Sequence, residues 1–266
     1  MPANNVLALS DPLEAVIRKA GELARETARR PFKHWTKGPD RSPVTEGDIV
    51  VNEFLRAQLT ALLHGAGWLS EETQESPEYG LPLNWIVDPI DGTRAYISGR
   101  ADWTISVALA EYGRPLIAAL YAPVTDEMFL ASRAGGVTLN GRPIRATPGK
   151  LLNGAKLAGP KRYLDRLSAL SPGILAEPKV HSLALRIARV AQGTLDAAFA
   201  SGGSHDWDLA AADLLVHEAG GALTDFLGRP LKYNEPQSAH GPLIAAGHFC
   251  HGALTGLVRD RETEFA

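Results

Sequence analysis

Trp85-Ile86-Val87-Asp88-Pro89-Ile90-Asp91-Gly92-Thr93 decides how this chain is read. Trp85, Ile86 and Val87 form an apolar run suited to a buried strand, and Pro89 and Gly92 mark a sharp turn at its end. Gly92 lets the backbone approach a ligand closely. With Thr93 it opens a helix whose first N–H groups lack helical partners and so face an anion. Asp88 and Asp91 bring hard oxygen ligands to the same turn, the donor type that Mg²⁺ takes together with water and phosphate oxygens. A strand-ending turn with an aspartate cap uses the same residue types, so acidic residues elsewhere in the chain decide between the two readings.

Three other segments carry them. Ser70-Glu71-Glu72 follows the apolar Gly67-Trp68-Leu69, which places two like charges side by side at the end of a buried strand. Thr45 caps a helix with Asp48 in its first turn and Ile49, Phe54, Leu55, Leu59 and Leu62 as its apolar face, stopped by Gly65 and Gly67. His205-Asp206-Trp207-Asp208 opens another, expected over Asp208 to Ala219 before Gly220-Gly221. Capping alone accounts for one aspartate there.

Around these segments the pattern alternates between helix and strand. Asp11 caps a first helix to about Arg30, with Pro12 at its first position, Glu14 completing the cap and Ile17, Leu23 and Ala24 facing inward. Short β-rich runs follow at Ile105 to Ala110, Leu116 to Tyr121 and Met128 to Ala131, and Asn140-Gly141 is a hairpin turn. Leu157 sits in a short strand, Ser182 caps a helix through Val190 that ends at Gly193, and Leu195 to Phe199 reads as a strand. Thr147 to Asn153 is the expected boundary between two closely packed lobes, an N-terminal α+β lobe (1–148) and a C-terminal α/β lobe (149–266).

The chain has 266 residues, 45% hydrophobic and 21% charged, with a net charge of −3. That composition fits a globular protein and gives no reason to expect a nucleic-acid polymer or an anionic membrane as partner. No apolar stretch approaches the roughly 18 residues needed to cross a bilayer, and no secretory signal opens the chain, so a cytoplasmic location is expected. Cys250 is the one cysteine, read as a small buried hydrophobe; His248 and His251 beside it match no complete zinc pattern.

Taken together, Ser42-Pro43-Val44-Thr45-Glu46-Gly47-Asp48, Ser70-Glu71-Glu72, Trp85 to Thr93, and Trp207-Asp208-Leu209-Ala210-Ala211 with Glu218-Ala219-Gly220-Gly221 resemble, in order, the motifs of the inositol monophosphatase superfamily of Mg²⁺-dependent, lithium-sensitive phosphatases. The resemblance implies a layered α-β-α-β-α sandwich of the inositol monophosphatase and fructose-1,6-bisphosphatase type. It implies two Mg²⁺ ions, with a third, weaker one near Glu71. Glu71, Asp88 and the carbonyl of Ile90 would hold the first ion, and Asp88, Asp91 and Asp208 the second. Thr93 and Glu71 would orient and deprotonate the attacking water, Asp48 would hold Thr93, and the N–H groups of Gly92 and Thr93 would grip the phosphate, beside Asp91 and Asp208. A homodimer acting on a small phosphorylated metabolite is the implied assembly.

The leaving group is less legible. Inositol-cleaving relatives place a Glu before the Trp-Asp pair, where this chain has Phe199-Ala200-Ser201-Gly202-Gly203-Ser204, leaving Ser201 and Ser204 as the candidate substrate contacts. Lys37 and Asp40 before Ser42, Gly67-Trp68-Leu69-Ser70-Glu71-Glu72-Thr73 and Gly228-Arg229-Pro230-Leu231-Lys232-Tyr233 resemble the bacterial 3′(2′),5′-bisphosphate nucleotidase branch, the first choice here. Arg94, Lys161, Arg162 and Arg186 are candidates for a second phosphate. Tyr96 and Trp103 either stack on an adenine or pack beneath a strand. Inositol 1-phosphate, histidinol phosphate and sugar phosphates are the alternative substrates, and a non-catalytic phosphate-binding module is the alternative of a different class.

Overall fold

A computed structural model describes residues 8–38, 41–73, 81–148, 152–261 and Phe265. Asp40, and residues 149–151 of the expected lobe boundary, lie outside the described residues. In chain order the elements are α1 (Ser10–Ala28), β1 (His34–Lys37), β2 (Ser42–Thr45), α2 (Glu46–Leu62), β3 (Gly67–Ser70), β4 (Leu83–Asp91), α3 (Thr93–Ile97), β5 (Thr104–Glu111), β6 (Arg114–Ala122), β7 (Glu127–Ser132), β8 (Gly136–Leu139) and β9 (Arg142–Pro143). They continue with β10 (Lys156–Ala158), α4 (Lys161–Leu170), β11 (Leu175–Ala176), α5 (Leu183–Ala191), β12 (Ala197–Ala200), β13 (Ser204–His205), α6 (Asp206–Glu218), β14 (Gly221–Asp225), β15 (Ala239–His240), β16 (Leu243–Gly247) and α7 (His248–Arg259).

A seven-stranded sheet runs β3-β4-β5-β6-β7-β8-β9, and a five-stranded sheet runs β11-β10-β12-β16-β14. Side-chain alternation along the strands builds the layers. On β5, Ile105, Val107 and Leu109 join Leu13 and Ile17 of α1 and Leu55 and Leu59 of α2. Ala108 and Ala110 face the other way, onto α5 and α6. On β12 and β16, Ala198, Ala200, Leu243 and Ala245 face that same helix pair, whereas Phe199 and Ile244 meet Tyr163 and Leu167 of α4 and Leu254 and Val258 of α7. The order is therefore α-β-α-β-α, as expected. The central layer is lined on both sides by alanine, and α6 itself presents Ala210, Ala211 and Ala212. Small side chains let helix and sheet backbones approach closely, and close-packed interiors leave few voids to fill.

Several elements differ from their sequence reading in physically informative ways. α1 begins one residue before Asp11, and no side chain caps it; Asp11 and Pro12 lie inside the first turn, where an acidic side chain suits the dipole and a missing N–H costs nothing. The inward face of α2 runs through Val51, Leu55 and Leu59, with Ile49 and Phe54 half-buried at its margins. α6 starts at Asp206 and β12 at Ala197, each two residues from its expected position. The β8–β9 hairpin turns on Asn140 and Gly141, both with positive φ, as expected of that pair.

Candidate active site

β4 does not turn at Pro89. It continues to Asp91 and pairs with β5 throughout, with an irregularity between Asp88, opposite Ser106, and Asp91, opposite Thr104. Residues three apart on a regular strand point to opposite faces. The extra residue of the bulge re-aims one of them, so that both aspartates reach the same side, and Pro89 sits where a missing N–H is tolerated. The sharp turn expected here is thus a bulged strand end, and the left-handed bend comes only at Gly92, φ 93°. A Cβ at Gly92 would come within 3.1 Å of the Ser182 nitrogen and 3.2 Å of the Asp102 carbonyl, so this glycine also permits close packing of the segment before α5.

β3 lies parallel to β4, with Ser70 opposite Val87, which brings Glu71 beside Asp88. The Glu71 N–H donates to the Val87 carbonyl at 3.3 Å, and the Ser70 hydroxyl donates to Asn52 at 2.7 Å, tying this strand end to α2. α6 delivers Asp208, whose Oδ2 accepts the His205 N–H at 2.7 Å. Asp208 therefore caps its own helix and also reaches the site. Asp88, Asp91 and Asp208 each present an oxygen within 4.8 Å of the others. With Glu71, Ile90, Gly92 and Thr93 they line one hollow of about 210 Å³. An adjoining groove of about 580 Å³ shares Lys179 with the hollow but holds none of these carboxylates.

Asp91 is held by a donor set far away in sequence. The Ser182 hydroxyl donates to its Oδ2 at 2.5 Å, and the Leu183 and Ala184 N–H groups of α5 donate at 3.2 and 2.7 Å. Thr93 donates its hydroxyl to the Ile90 carbonyl at 3.1 Å; Asp48 Oδ1 stands 3.5 Å away, at the limit of a hydrogen bond. The other oxygen of Asp48 accepts the Thr45 N–H and hydroxyl at 2.7 and 2.6 Å.

Charge is crowded here. Burial, then Glu71, Asp91, Asp208 and Asp48, hold the Asp88 carboxyl well above the usual carboxylate range. Burial and Asp91 do the same to Asp208, against the His205 N–H. Burial pushes Asp91 up to about 6, opposed by the donors from Ser182, Ala184 and Leu183. Asp48 is pushed up to about 7 by burial, against its Thr45 hydrogen bonds. Among the described residues no lysine or arginine forms an ion pair with Asp88, Asp91 or Asp208. Buried carboxylates without a counter-ion are costly. Hard oxygen donors in this number fit Mg²⁺, and no sulfur or imidazole donor competes within the triad.

Glu71 and Glu72 differ, because Lys37 of β1 reaches them, its Nζ 2.5 Å from Glu72, 3.2 Å from Glu71 Oε1 and 3.0 Å from the Glu71 carbonyl. Sequence reading singled out Lys37 for its motif and missed this role.

The remaining expectations divide. Of the four cations considered for a second phosphate, only Arg94 lines the hollow. Lys161 pairs with Asp165 at the surface, Arg162 lies over the Tyr163 ring, and Arg186 donates to the Val180 and Phe199 carbonyls. Tyr96 and Trp103 are buried edge to face, and the Tyr96 hydroxyl donates to the Ala24 carbonyl, so neither is free to stack on a base. Ser201 follows β12 and Ser204 opens β13, both outside the lining of the hollow, with the Ser204 hydroxyl donating to the Ser201 carbonyl at 3.3 Å. Cys250 packs in the outer core, where burial pushes its thiol up to about 11, and His251 meets Thr224 at 2.8 Å. Lys179 and His181 line the hollow without having been anticipated. Ser182 was read only as a helix cap; the anion-binding character of that same helix start was the available signal.

The model of a family described as "Inositol monophosphatase family" matches residues 8–261. An inositol-1-monophosphatase of Rhizobium meliloti (strain 1021) is 32% identical over 232 residues, 83% of this chain and 86% of the relative. A protein named Nus factor SuhB from Pseudomonas aeruginosa is 34% identical over 260 residues, 91% and 92% of the two chains. The crystal structure of extragenic suppressor protein suhB from Bartonella henselae superposes with a TM-score of 0.83 at 26% identity, over 94% of this chain and 97% of that one. The chain belongs to the inositol monophosphatase family, a family of phosphatases.

Proposed function

We propose that this chain hydrolyses a small phosphate monoester by direct attack of water, with Mg²⁺ as its cofactor. One observation carries the reading: Glu71 at the end of β3, Asp88 and Asp91 on β4 and Asp208 on α6, three separate elements, line a single hollow. Glu71, Asp88 and the Ile90 carbonyl would hold one ion and Asp88, Asp91 and Asp208 another, with a weaker third near Glu71. When bound, the ions neutralise the substrate phosphate and make water a competent nucleophile near neutral pH.

The chain's own groups do the rest. The Thr93 hydroxyl and Glu71 orient the water, the Glu71 carboxylate accepts its proton, and Asp48 backs Thr93. α3 begins at Thr93, so its first N–H groups have no helical partner and suit the phosphate oxygens. No covalent intermediate is needed: Cys250 lies in the outer core, away from the hollow. Release of inorganic phosphate that requires Mg²⁺ and is lost in chelator tests the reading, and Li⁺ is expected to inhibit by competing for an ion site.

For the substrate, a compact polyol phosphate such as inositol 1-phosphate now stands first. The hollow is small, Tyr96 and Trp103 are unavailable to an adenine, and the relative from Rhizobium meliloti carries the inositol-1-monophosphatase name. The 3′(2′),5′-bisphosphate nucleotidase reading keeps one support, since Arg94 and Lys179 line the hollow without an ion pair among the described residues and suit a second phosphate. Phosphate release from inositol 1-phosphate, 3′-phosphoadenosine 5′-phosphate, fructose 1,6-bisphosphate and histidinol phosphate, measured side by side, separates these. Ser201 and Ser204, which do not line the hollow itself, would then meet only a leaving group that extends out of it toward the start of β13. A cytoplasmic homodimer acting on a metabolite completes the proposal.

A further inference from the structure

We propose that His181, held by Asp102, contacts the oxygen of the departing alcohol and gives it a proton. The proposal rests on the phosphatase reading above and adds a residue to it. His181 lines the hollow that holds the carboxylates. Its backbone N–H donates to Asp102 Oδ2 at 2.8 Å, and ring Nδ1 meets that same oxygen at 2.7 Å. Two contacts from one residue to one oxygen fix both the backbone and the ring. A carboxylate on Nδ1 sets the tautomer and leaves Nε2 as the ring's working atom. Nε2 has no partner among the described residues, and the side chain is 25% exposed, so it can recover a proton from solvent.

Asp102 is itself anchored. The Arg100 guanidinium donates to its other oxygen at 3.0 Å, and its carbonyl accepts the Ser182 N–H at 3.1 Å. Against burial, His181 and Arg100 hold its carboxyl below the usual range. Ser182 in turn donates to Asp91, so one short segment both orients a proposed metal ligand and presents an imidazole to the same hollow. Neither the proposed metal ligands nor the water-orienting pair needs this imidazole. The charged groups around it are Asp102 and Arg100, and Arg94, Lys179, Glu71, Asp88, Asp91 and Asp208 line the same hollow.

The step balances simply. As the water oxygen bonds to phosphorus, the bond from phosphorus to the ester oxygen breaks and its electron pair stays on that oxygen. The ester oxygen takes the proton from Nε2 of the doubly protonated ring, leaving neutral imidazole with Nδ1–H on Asp102. The proton lost by the water goes to the Glu71 carboxylate, while the Thr93 hydroxyl only positions the water. Such proton donation matters for an alkoxide leaving group and little for a stable phenolate.

The test compares inositol 1-phosphate with p-nitrophenyl phosphate in single turnovers of the Mg²⁺-loaded protein, for the parent, His181→Ala and Asp102→Asn. The rate ratio of p-nitrophenyl phosphate to inositol 1-phosphate is expected to rise about a hundredfold in His181→Ala, the lower end of general-acid effects. In Asp102→Asn it should rise less, and the low-field Nδ1–H proton resonance of His181 should disappear. A ratio unchanged in His181→Ala, whether both rates fall together or neither does, overturns the proposal, as does an unaltered Nδ1–H resonance in Asp102→Asn. Release of phosphate from neither ester by the parent protein would overturn the phosphatase reading and this inference with it. Melting temperatures of both variants, expected within a few degrees of the parent because His181 is partly exposed, separate a lost proton donor from a lost fold.

Discussion

Two acidic clusters sit side by side at the ends of β3 and β4, and they are built differently. Glu71 and Glu72 are bridged by Lys37, which neutralises them from within the chain. Asp88, Asp91 and Asp208 are more crowded and, among the described residues, form no ion pair with a lysine or arginine. A paired cluster holds its own structure together. An unpaired one, pushed up in pKa by burial and mutual repulsion, gains stability only when protons or external cations arrive. Glu71 belongs to both, which suits a residue proposed to hold an ion and to take a proton.

The sharpest way to break this comparison is Asp91→Asn. It should cut turnover by about a thousandfold or more, since the charge is lost where the ions are held. The metal-free variant should melt near the parent, because the loss of one repelling charge offsets the loss of an acceptor for the Leu183 N–H, while Ser182 and Ala184 keep theirs on the amide oxygen. Undiminished turnover in phosphate-release assays would remove Asp91 from the proposed ion site.

Next in size is the response to Mg²⁺. The folded-state values of Asp91 and Asp48, about 6 and about 7, lie above the ordinary 3.8, so the folded metal-free protein binds more protons than the unfolded chain between those limits. That stabilisation is complete below the unfolded value and is lost as pH rises through about 6 to 7. The melting temperature of the metal-free protein should therefore fall across that interval. The gain on adding Mg²⁺ should grow, reaching about 2.7 kcal/mol when Mg²⁺ is a hundredfold above its dissociation constant. Scanning fluorimetry at several pH values, with and without chelator, reads both, and a Mg²⁺ gain that shrinks with rising pH would contradict the assignment.

Lys37→Met probes the paired cluster. It leaves Glu72, whose side chain is only 5% exposed, without its counter-ion. Because the Lys37 side chain is itself 30% exposed, the loss should be about 1 to 2 kcal/mol, less than for a fully buried pair, and visible in urea unfolding at neutral pH. The smallest effect expected is from Ser182→Ala, which removes both the cap of α5 and a donor to Asp91 and should cost about 1 kcal/mol while weakening the response to Mg²⁺.

What could be read from the sequence was local. Thr45 caps α2 with Asp48 in its first turn as expected, Asn140-Gly141 makes its hairpin, and the β-rich runs at Ile105 to Ala110 and Leu116 to Tyr121 are β5 and β6. The four carboxylates were legible because each lies in a distinctive short motif. The bulge in β4 was not, since it depends on pairing with β5 rather than on Pro89 itself. Nor were the bonds from Ser182 to Asp91 and from His181 to Asp102, which join residues 91 and 79 positions apart. Residue type misled at Arg186, whose charge is spent on two backbone carbonyls, and left two readings at Tyr96 and Trp103, of which the structure has packing in the core. Periodicity reports a face, and tertiary contact decides what that face meets.

The central claim is that Glu71, Asp88, Asp91 and Asp208 hold divalent cations. Anomalous diffraction from crystals soaked in Mn²⁺, a stand-in for Mg²⁺ with the same preference for oxygen donors, tests it most directly. At least two peaks inside the hollow, touching Asp88 together with Glu71 on one side and Asp91 with Asp208 on the other, are expected. Peaks only at surface carboxylates, or none within reach of Asp88, would contradict it.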